Sequence, residues 1–255
     1  LGLRANYFEK FKKNSFEPRL QMNYAFSNLF QIEILSEQKT QNTSQVIDLQ
    51  QDFLGIEKRR WVLSNDNLIP IIKSTQFSIG FTFKKNNWLL NLDNYYKKVN
   101  GITSKSQGFQ NQLEFVRING DYAVLGSEFL IQKQLKNLST SISYGFSKND
   151  YSFNSFTPTI FPNNFEINHS LLWNAIYDFK NLKVALGTKW FTGKPTTLPT
   201  NSTSFLTTQE IEYQLPNASN IENYFQINFS SSYSVKMKEK TKLLVGFSIT
   251  NLLNN

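Results

Sequence analysis

Apolar and polar residues alternate strictly along much of this chain, and residues 138–147 show the pattern most clearly. One set consists of Leu138, Thr140, Ile142, Tyr144 and Phe146, and the interleaved set of Ser139, Ser141, Ser143, Gly145 and Ser147. A period of two places the two sets on opposite faces of a β-strand. A face of small polar residues suits a crowded, hydrated lumen. We therefore expect the apolar face to meet lipid.

The same alternation predicts eleven strands. They cover residues 1–8, 16–26, 29–37, 77–83, 88–96, 120–135, 138–147, 165–179, 182–190, 225–235 and 243–249. Several of them run for roughly nine or more residues, the length a tilted strand needs to cross a bilayer core. Strands of soluble domains are usually about five or six residues long. The pattern therefore favours strands that span a membrane.

The connections between these strands alternate between short and long. The short ones are 27–28, 84–87, 136–137, 180–181 and 236–241, and the long ones are 38–74, 98–118, 150–164 and 193–222. Bacterial outer-membrane barrels have short periplasmic turns and longer extracellular loops. Aromatic residues also gather near the strand ends, as in the girdles at membrane interfaces. The prediction is an all-β chain, an antiparallel up-and-down transmembrane β-barrel of which it forms a part.

Composition is compatible with this prediction. The 255 residues have a mean hydropathy of -0.39, which suits a barrel because only alternate positions need be apolar. No apolar run approaches the roughly 20 residues of a membrane-spanning helix. The net charge is +8, but the lysines are scattered over turns and form no continuous stripe, as with Lys84, Lys85, Lys136, Lys180, Lys238 and Lys240. We interpret them as solvated turn residues and expect no nucleic-acid partner.

The chain offers little for catalysis or cofactor binding. It has no cysteine and one histidine, His169, so thiolate and histidine metal sites are not expected. His169 is predicted on the apolar face and Ser170 on the polar face, because adjacent strand residues point to opposite sides. The two therefore cannot form a nucleophile and base pair. We expect neither an enzyme nor a cofactor.

Several short motifs are similar in order and spacing to those of a known family. They are Gly2-Leu3-Arg4, Glu17-Pro18-Arg19-Leu20, Gly126-Ser127-Glu128, Trp190-Phe191-Thr192-Gly193-Lys194-Pro195, Asn223-Tyr224-Phe225-Gln226-Ile227-Asn228-Phe229 and Asn251-Leu252-Leu253-Asn254. Together they extend along nearly the whole chain. On these motifs the chain resembles the C-terminal part of the barrel of a TonB-dependent outer-membrane receptor, of the kind common in Bacteroidetes.

The resemblance implies that residues 1–255 form one part of a barrel of about 22 strands. The plug domain, the first strands and the last strand of such a barrel would lie outside the chain. It further implies a place among the lipids of a Gram-negative outer membrane and energised import of a scarce nutrient: a siderophore, haem, cobalamin or a glycan. TonB would act on the plug and the TonB box, which the chain does not contain.

Candidate substrate-facing residues lie in the long loops. Arg59, Arg60 and Trp61 stand together in loop 38–74, and arginine beside an aromatic ring suits anionic or ring-bearing ligands. Loops 98–118 and 150–164 offer Phe109 and Tyr151 on similar terms, as well as Phe153 and Phe156. The alternative for all of them is a solvated loop that packs on its neighbours. Glu128 is predicted to face the lumen and to pair with a lysine or arginine of the wall.

Two other functions remain open from the sequence. One is a passive, porin-like channel or a structural outer-membrane barrel, which would lack a plug and a TonB box. The other is a soluble β-sandwich that binds carbohydrate. A sandwich would cover its apolar face with a second sheet, whereas a barrel would leave that face to lipid.

Overall fold

The computed structural model of the chain describes residues 1–49, 57–65, 68–109, 113, 116–200, 211–238 and 241–254. Strands dominate this part of the chain. In order they are β1 (Gly2–Phe8), β2 (Lys13–Ala25), β3 (Phe30–Gln41), β4 (Thr43–Leu49), β5 (Glu57–Leu63), β6 (Ile72–Lys85), β7 (Trp88–Thr103), β8 (Asn119–Gln134), β9 (Leu138–Ser152), β10 (Ile160–Pro162), β11 (His169–Phe179), β12 (Leu182–Phe191), β13 (Pro195–Thr196), β14 (Ser219–Asn220), β15 (Tyr224–Lys238) and β16 (Thr241–Ile249). Short 3₁₀ turns span Glu9–Phe11 and Ser104–Ser106.

One large antiparallel sheet carries the architecture. Its strand order is β1-β2-β3-β6-β7-β8-β9-β11-β12-β15-β16, and β10 adds to β9. The eleven strands on this path are the eleven that the alternation predicts. The sheet is open, with β1 and β16 at its two ends. The prediction of an all-β, antiparallel part of a barrel is therefore confirmed.

The connections sort by length between the two edges of the sheet. The turns β2–β3, β6–β7, β8–β9, β11–β12 and β15–β16 are short and share one edge, because consecutive strands of the path are antiparallel. Asn86 and Asn87 show how the sequence makes such a turn. Both have positive φ, 49° and 63°, as a two-residue type I′ turn requires, and asparagine tolerates this conformation. The longer connections lie at the opposite edge.

The strand register aligns the apolar residues into one continuous face. Directly paired residues of antiparallel strands lie on the same face of a sheet. One such row crosses the sheet from β2 to β15 through Tyr24, Ile32, Phe81, Leu92, Phe129, Tyr144, Leu171, Trp190 and Phe225. Most of its members are exposed. This outward face is the one assigned to lipid by the sequence pattern.

Two expectations about the loops are corrected. Residues 38–74 do not form one long loop, because β3 continues to Gln41, β6 begins at Ile72, and β4 and β5 pair as a hairpin between them. Residues 165–168 do not belong to β11, which begins at His169. There the Glu166 carboxylate accepts a hydrogen bond from the backbone N–H of Asn149 at 2.9 Å, and the Asn168 carbonyl accepts one from the Ser147 N–H at 3.0 Å. Isolated contacts therefore hold this segment outside the strand ladder.

Buried apolar side chains cluster at the end of the sheet that carries the long connections, partly on strand ends and partly in the connections themselves. They are Val99, Ile102, Phe109, Tyr151, Phe153, Phe156 and Phe161. In the described residues no second sheet covers the outward face, so the β-sandwich alternative does not fit the structure. No helix in the described part of the chain is long and apolar enough to cross a membrane.

Candidate functional site

A cavity of about 740 Å³ opens on the polar face near the edge that carries the long connections. Strands β1, β2, β3 and β7 each contribute a cation to its lining: Arg4, Arg19, Lys39 and Lys97. Glu17 also lines the cavity. Side chains alternate between the two faces along each strand. These residues therefore point to the polar face, whereas neighbours such as Leu3 and Tyr96 point outward. The cavity therefore presents several positive charges to anything that enters it.

Glu17 organises the cations at one side of this cavity. Its side chain is 1% exposed, and its Oε1 accepts hydrogen bonds from Asn6 Nδ2 at 2.9 Å, Thr40 N at 2.8 Å and Thr40 Oγ1 at 2.7 Å. Its Oε2 lies 3.9 Å from Arg4 Nε and 3.8 Å from Arg19 Nη2. A buried carboxylate needs such partners, since burial without them is costly. Glu17 thus ties β1, β2 and the end of β3 together.

Replacing Glu17 by glutamine is expected to lower the free energy of unfolding by about 1–3 kcal/mol. Glutamine preserves the shape but removes the charge that strengthens three hydrogen bonds and offsets two arginines. Thermal unfolding of the intact protein in detergent measures the loss. Glu37→Gln is the matched control, because Glu37 pairs with Lys39 at 2.7 Å near the surface and such pairs contribute at most about 1 kcal/mol. Equal losses in the two variants would contradict this role for Glu17.

The aromatic residues predicted to face substrate form a buried cluster instead of an open surface. Phe109 is 8% and Tyr151 0% exposed, and their ring centroids are 5.2 Å apart in an edge-to-face contact. Phe153 and Phe156 join the same cluster. The cluster fixes the β7–β8 and β9–β11 connections above the polar face. Contact of Phe109 or Tyr151 with a substrate stays a prediction.

Polar contacts join three of the long connections to one another. Tyr151 Oη donates to Gln107 Oε1 at 3.1 Å, and Asn164 Nδ2 donates to Gln107 O at 3.0 Å. Asn217 Nδ2 donates to Pro162 O at 2.7 Å and to Asn164 Oδ1 at 2.8 Å. Nearby, burial raises the pKa of the Glu166 carboxyl, although its hydrogen bonds from Asn149 and Asn168 oppose this. The loop end of the polar face is therefore a packed, cross-linked structure.

Arg59, Arg60 and Trp61 lie on β5 of the β4–β5 hairpin. All three are exposed, Trp61 to 64%. Because side chains alternate along a strand, Arg60 points away from the face that Arg59 and Trp61 share. The three adjacent residues therefore do not form one cluster, and none of them contributes to the lining of the cavity. Substrate contact by these residues stays a prediction.

Glu128 lies on the polar face but not beside a cation. The register places it opposite Asp93 on β7 and Gly145 on β9. Gly80 on β6 and Glu33 on β3 belong to the same row of paired residues as Asp93. In the part of the chain that the structure describes, no lysine or arginine forms an ion pair with Glu128, so the expected pairing is not observed. The row instead forms an acidic band on the polar face, nearer the tight turns than the cationic cavity.

His169 and its neighbour Ser170 lie on opposite faces of the sheet. His169 lies on the outward face opposite Phe146, and its Nδ1 is 2.8 Å from Tyr144 Oη. Ser170 lies on the polar face opposite Gly145, as predicted. Across the described residues, no group of three or more histidine, cysteine or carboxylate side chains is arranged to hold a metal ion.

Comparison with known proteins shows what this fold is similar to. No family model matches the sequence, and no curated protein matches it. Solved structures do match. The FrpB iron transporter from Neisseria meningitidis is 13% identical with a TM-score of 0.62, over 95% of this chain and 35% of its own. The outer-membrane transporter YddB from Escherichia coli is 11% identical with a TM-score of 0.65, over 99% and 39%. The ferric citrate transporter FecA is 12% identical with a TM-score of 0.66, over 95% and 34%.

These matches are TonB-dependent outer-membrane receptors, and the chain spans about a third of their length. The shared feature is the barrel wall, since the matched region is nearly the whole of this chain. The chain has the fold of a portion of such a barrel, which is the fold of an outer-membrane protein. This agrees with the outward apolar face and with the short and long connections.

Proposed function

We propose that this chain is a wall segment of an outer-membrane receptor that imports a scarce nutrient, energised through TonB. The observation that carries the proposal is the cationic cavity at the loop end of a barrel-type wall. A purely structural wall has no need to gather Arg4, Arg19, Lys39 and Lys97 around one space of about 740 Å³. A passive anion-selective channel could use the same cations, so dependence of uptake on TonB separates the two functions. The iron transporters of the same fold support a receptor role.

The charge of the cavity favours an anionic ligand. Arginine forms paired hydrogen bonds with carboxylates, and lysine provides a compact positive charge. Glu17 neutralises part of the charge of Arg4 and Arg19, and Glu37 pairs with Lys39 at 2.7 Å, but in the described residues no carboxylate pairs with Lys97. An anionic iron chelate suits this cavity better than a neutral glycan or cobalamin, and haem, with its two propionate carboxylates, belongs to the same anionic class. We therefore propose an anionic metal chelate as the substrate class.

Uptake assays in cells test both parts of the proposal. A strain that lacks the gene of the intact protein should fail to grow on one anionic iron chelate as the sole iron source, and the gene should restore growth. Restoration should require TonB, because opening the path needs energy from the inner membrane. Growth that is restored equally without TonB would instead favour the passive channel.

The double variant Arg19→Gln and Lys97→Gln should bind that chelate at least about ten-fold more weakly than the wild type, since each charged hydrogen bond contributes about 1.5–3 kcal/mol. Isothermal titration with the intact protein measures this. The control is Lys73→Gln with Lys98→Gln, which removes two charges from outward-facing positions of β6 and β7. Unchanged affinity in the first variant would contradict a role for the cavity.

A further inference from the structure

The topology gathers lysines that are far apart in the sequence at one edge of the sheet. Four successive tight turns each carry lysines: Lys84 and Lys85 at β6–β7, Lys133 and Lys136 at β8–β9, Lys180 and Lys183 at β11–β12, and Lys236 and Lys242 at β15–β16. Neighbouring turns are two strand spacings apart, about 10 Å. We name these eight residues the lysine rim. These lysines thus share one edge of the sheet, where Lys85 and Lys133 lie on the outward face and Lys84, Lys183, Lys236 and Lys242 on the polar face of their strands.

Few negative charges oppose the lysine rim. Within the described part of these turns, Asp178 is the one carboxylate, and it lies 3.7 Å from Lys183 Nζ with both side chains exposed. Lys133 Nζ donates to the backbone carbonyl of Asn86 at 2.9 Å, which leaves its charge uncompensated. Like charges repel one another at these spacings. An arrangement of this kind is stabilised by an anionic partner.

Three members of the lysine rim, Lys85, Lys133 and Lys180, border the outward apolar face. Lys133 Nζ lies 4.6 Å from the centroid of the Trp88 ring, and Lys180 Nζ lies 5.3 Å from that of Phe179. Trp88 pairs with both Lys85 and Lys133 across the strands, so all three share the outward face. Lysines that lay their stems along exposed aromatics and extend their charges beyond them are typical of a membrane boundary.

We propose that the outward members of the lysine rim, Lys85, Lys133 and Lys180, bind the phosphate groups of anionic phospholipids in the adjacent membrane leaflet. This rests on the membrane placement in the proposed function but not on import. A lipid fits better than a soluble polyanion, because the cations adjoin the face that the acyl chains would cover. At the opposite edge carboxylates offset the outward-facing lysines. There Lys73, Lys98 and Lys148 lie on the same face as Asp121 and Asp150, and Lys148 Nζ lies 3.2 Å from Asp150 Oδ2.

Lipid selectivity of the intact protein tests this proposal. The protein is placed in nanodiscs of phosphatidylcholine alone or of equal parts phosphatidylcholine and phosphatidylglycerol. The phosphatidylglycerol that remains bound is measured by native mass spectrometry. The rim variant carries Lys85→Gln, Lys133→Gln and Lys180→Gln. The control removes equal charge at the opposite edge with Lys73→Gln, Lys98→Gln and Lys148→Gln.

The wild type and the control should both prefer phosphatidylglycerol, and the rim variant should lose at least about five-fold of that preference, the factor expected for one membrane-facing lysine. A wild type without the preference, or equal losses in both variants, would overturn the proposal. Displacement of the lipid by inorganic phosphate would assign the rim to soluble anions and overturn it as well. Growth on iron chelates is not part of this readout, so failed import and failed lipid binding are distinguishable.

Discussion

Replacing Ile142 by lysine is expected to destabilise the inserted barrel by about 2–4 kcal/mol. Ile142 lies near the middle of the alternating stretch 138–147 of β9 on the outward face, where it pairs with Ile131 on β8 and Trp173 on β11. It is 41% exposed, and lipid would cover that surface. A lysine at this position would place its ammonium group in the hydrocarbon core, too deep for the side chain to reach the lipid headgroups easily. Urea unfolding of the intact protein from lipid vesicles measures the loss.

The matched control is Ser141→Lys, one residue away on the same strand. Ser141 lies on the polar face between Gln132 and Asn174, so the new charge would be hydrated and close to amide side chains. We expect the protein with Ser141→Lys to insert and unfold like the wild type. Similar losses from both substitutions would mean that the two faces are not lipid and water, and the membrane placement would then fail.

The long strands could be predicted from the sequence because a wall with one wet face imposes a strict period of two. The pattern holds even where single residues violate it, as Leu130 and Leu172 do on the polar face. The strand ends were less predictable. Strand β9 extends to Ser152 and β11 begins at His169, since long-range contacts such as that of Glu166 with Asn149 decide where the ladder begins. These contacts leave no local pattern.

The cationic cavity could not be located from the sequence alone. Its four cations come from β1, β2, β3 and β7, and only the strand register brings them to the same height along the wall. The alternation along its strand could have identified Lys97 as a residue of the polar face, because it lies between Tyr96 and the outward-facing Lys98. By contrast, Arg59, Arg60 and Trp61 attract notice because they are adjacent, yet a strand separates adjacent side chains. Adjacency in a strand is thus a poor guide to a binding site.

The loop aromatics show a different reason for an incomplete prediction. Exposed loop aromatics often contact ligands, but long connections also need apolar contacts of their own to stay ordered. Tyr151 lies near the end of β9 and Phe153 directly after it, and both side chains are fully buried. The described loops therefore have a core separate from the lipid-facing wall. Its stability can be tested apart from insertion.

Phe153→Ala is expected to lower the stability of this loop core by about 3–5 kcal/mol. Phe153 is fully buried, and its ring centroid lies 5.6 Å from Phe109, 5.8 Å from Tyr151 and 5.1 Å from Phe156. Truncation removes the ring that the other three enclose and leaves a cavity. Hydrogen exchange of the intact protein should become faster in peptides that cover residues 98–118 and 150–164, while peptides from mid-strand β9 keep their protection.

Phe165→Ala separates loss of an aromatic ring from loss of the loop core. Phe165 is 67% exposed and lines the cationic cavity, so its truncation should change exchange in the same peptides by less than about 0.5 kcal/mol.

Because the loop core supports one side of the cavity, Phe153→Ala should also weaken binding of an anionic chelate without removing any charge from the cavity. Unchanged exchange in Phe153→Ala would show that the backbone and polar contacts alone hold these loops. Faster exchange with unchanged affinity would show that ligand binding does not depend on their order.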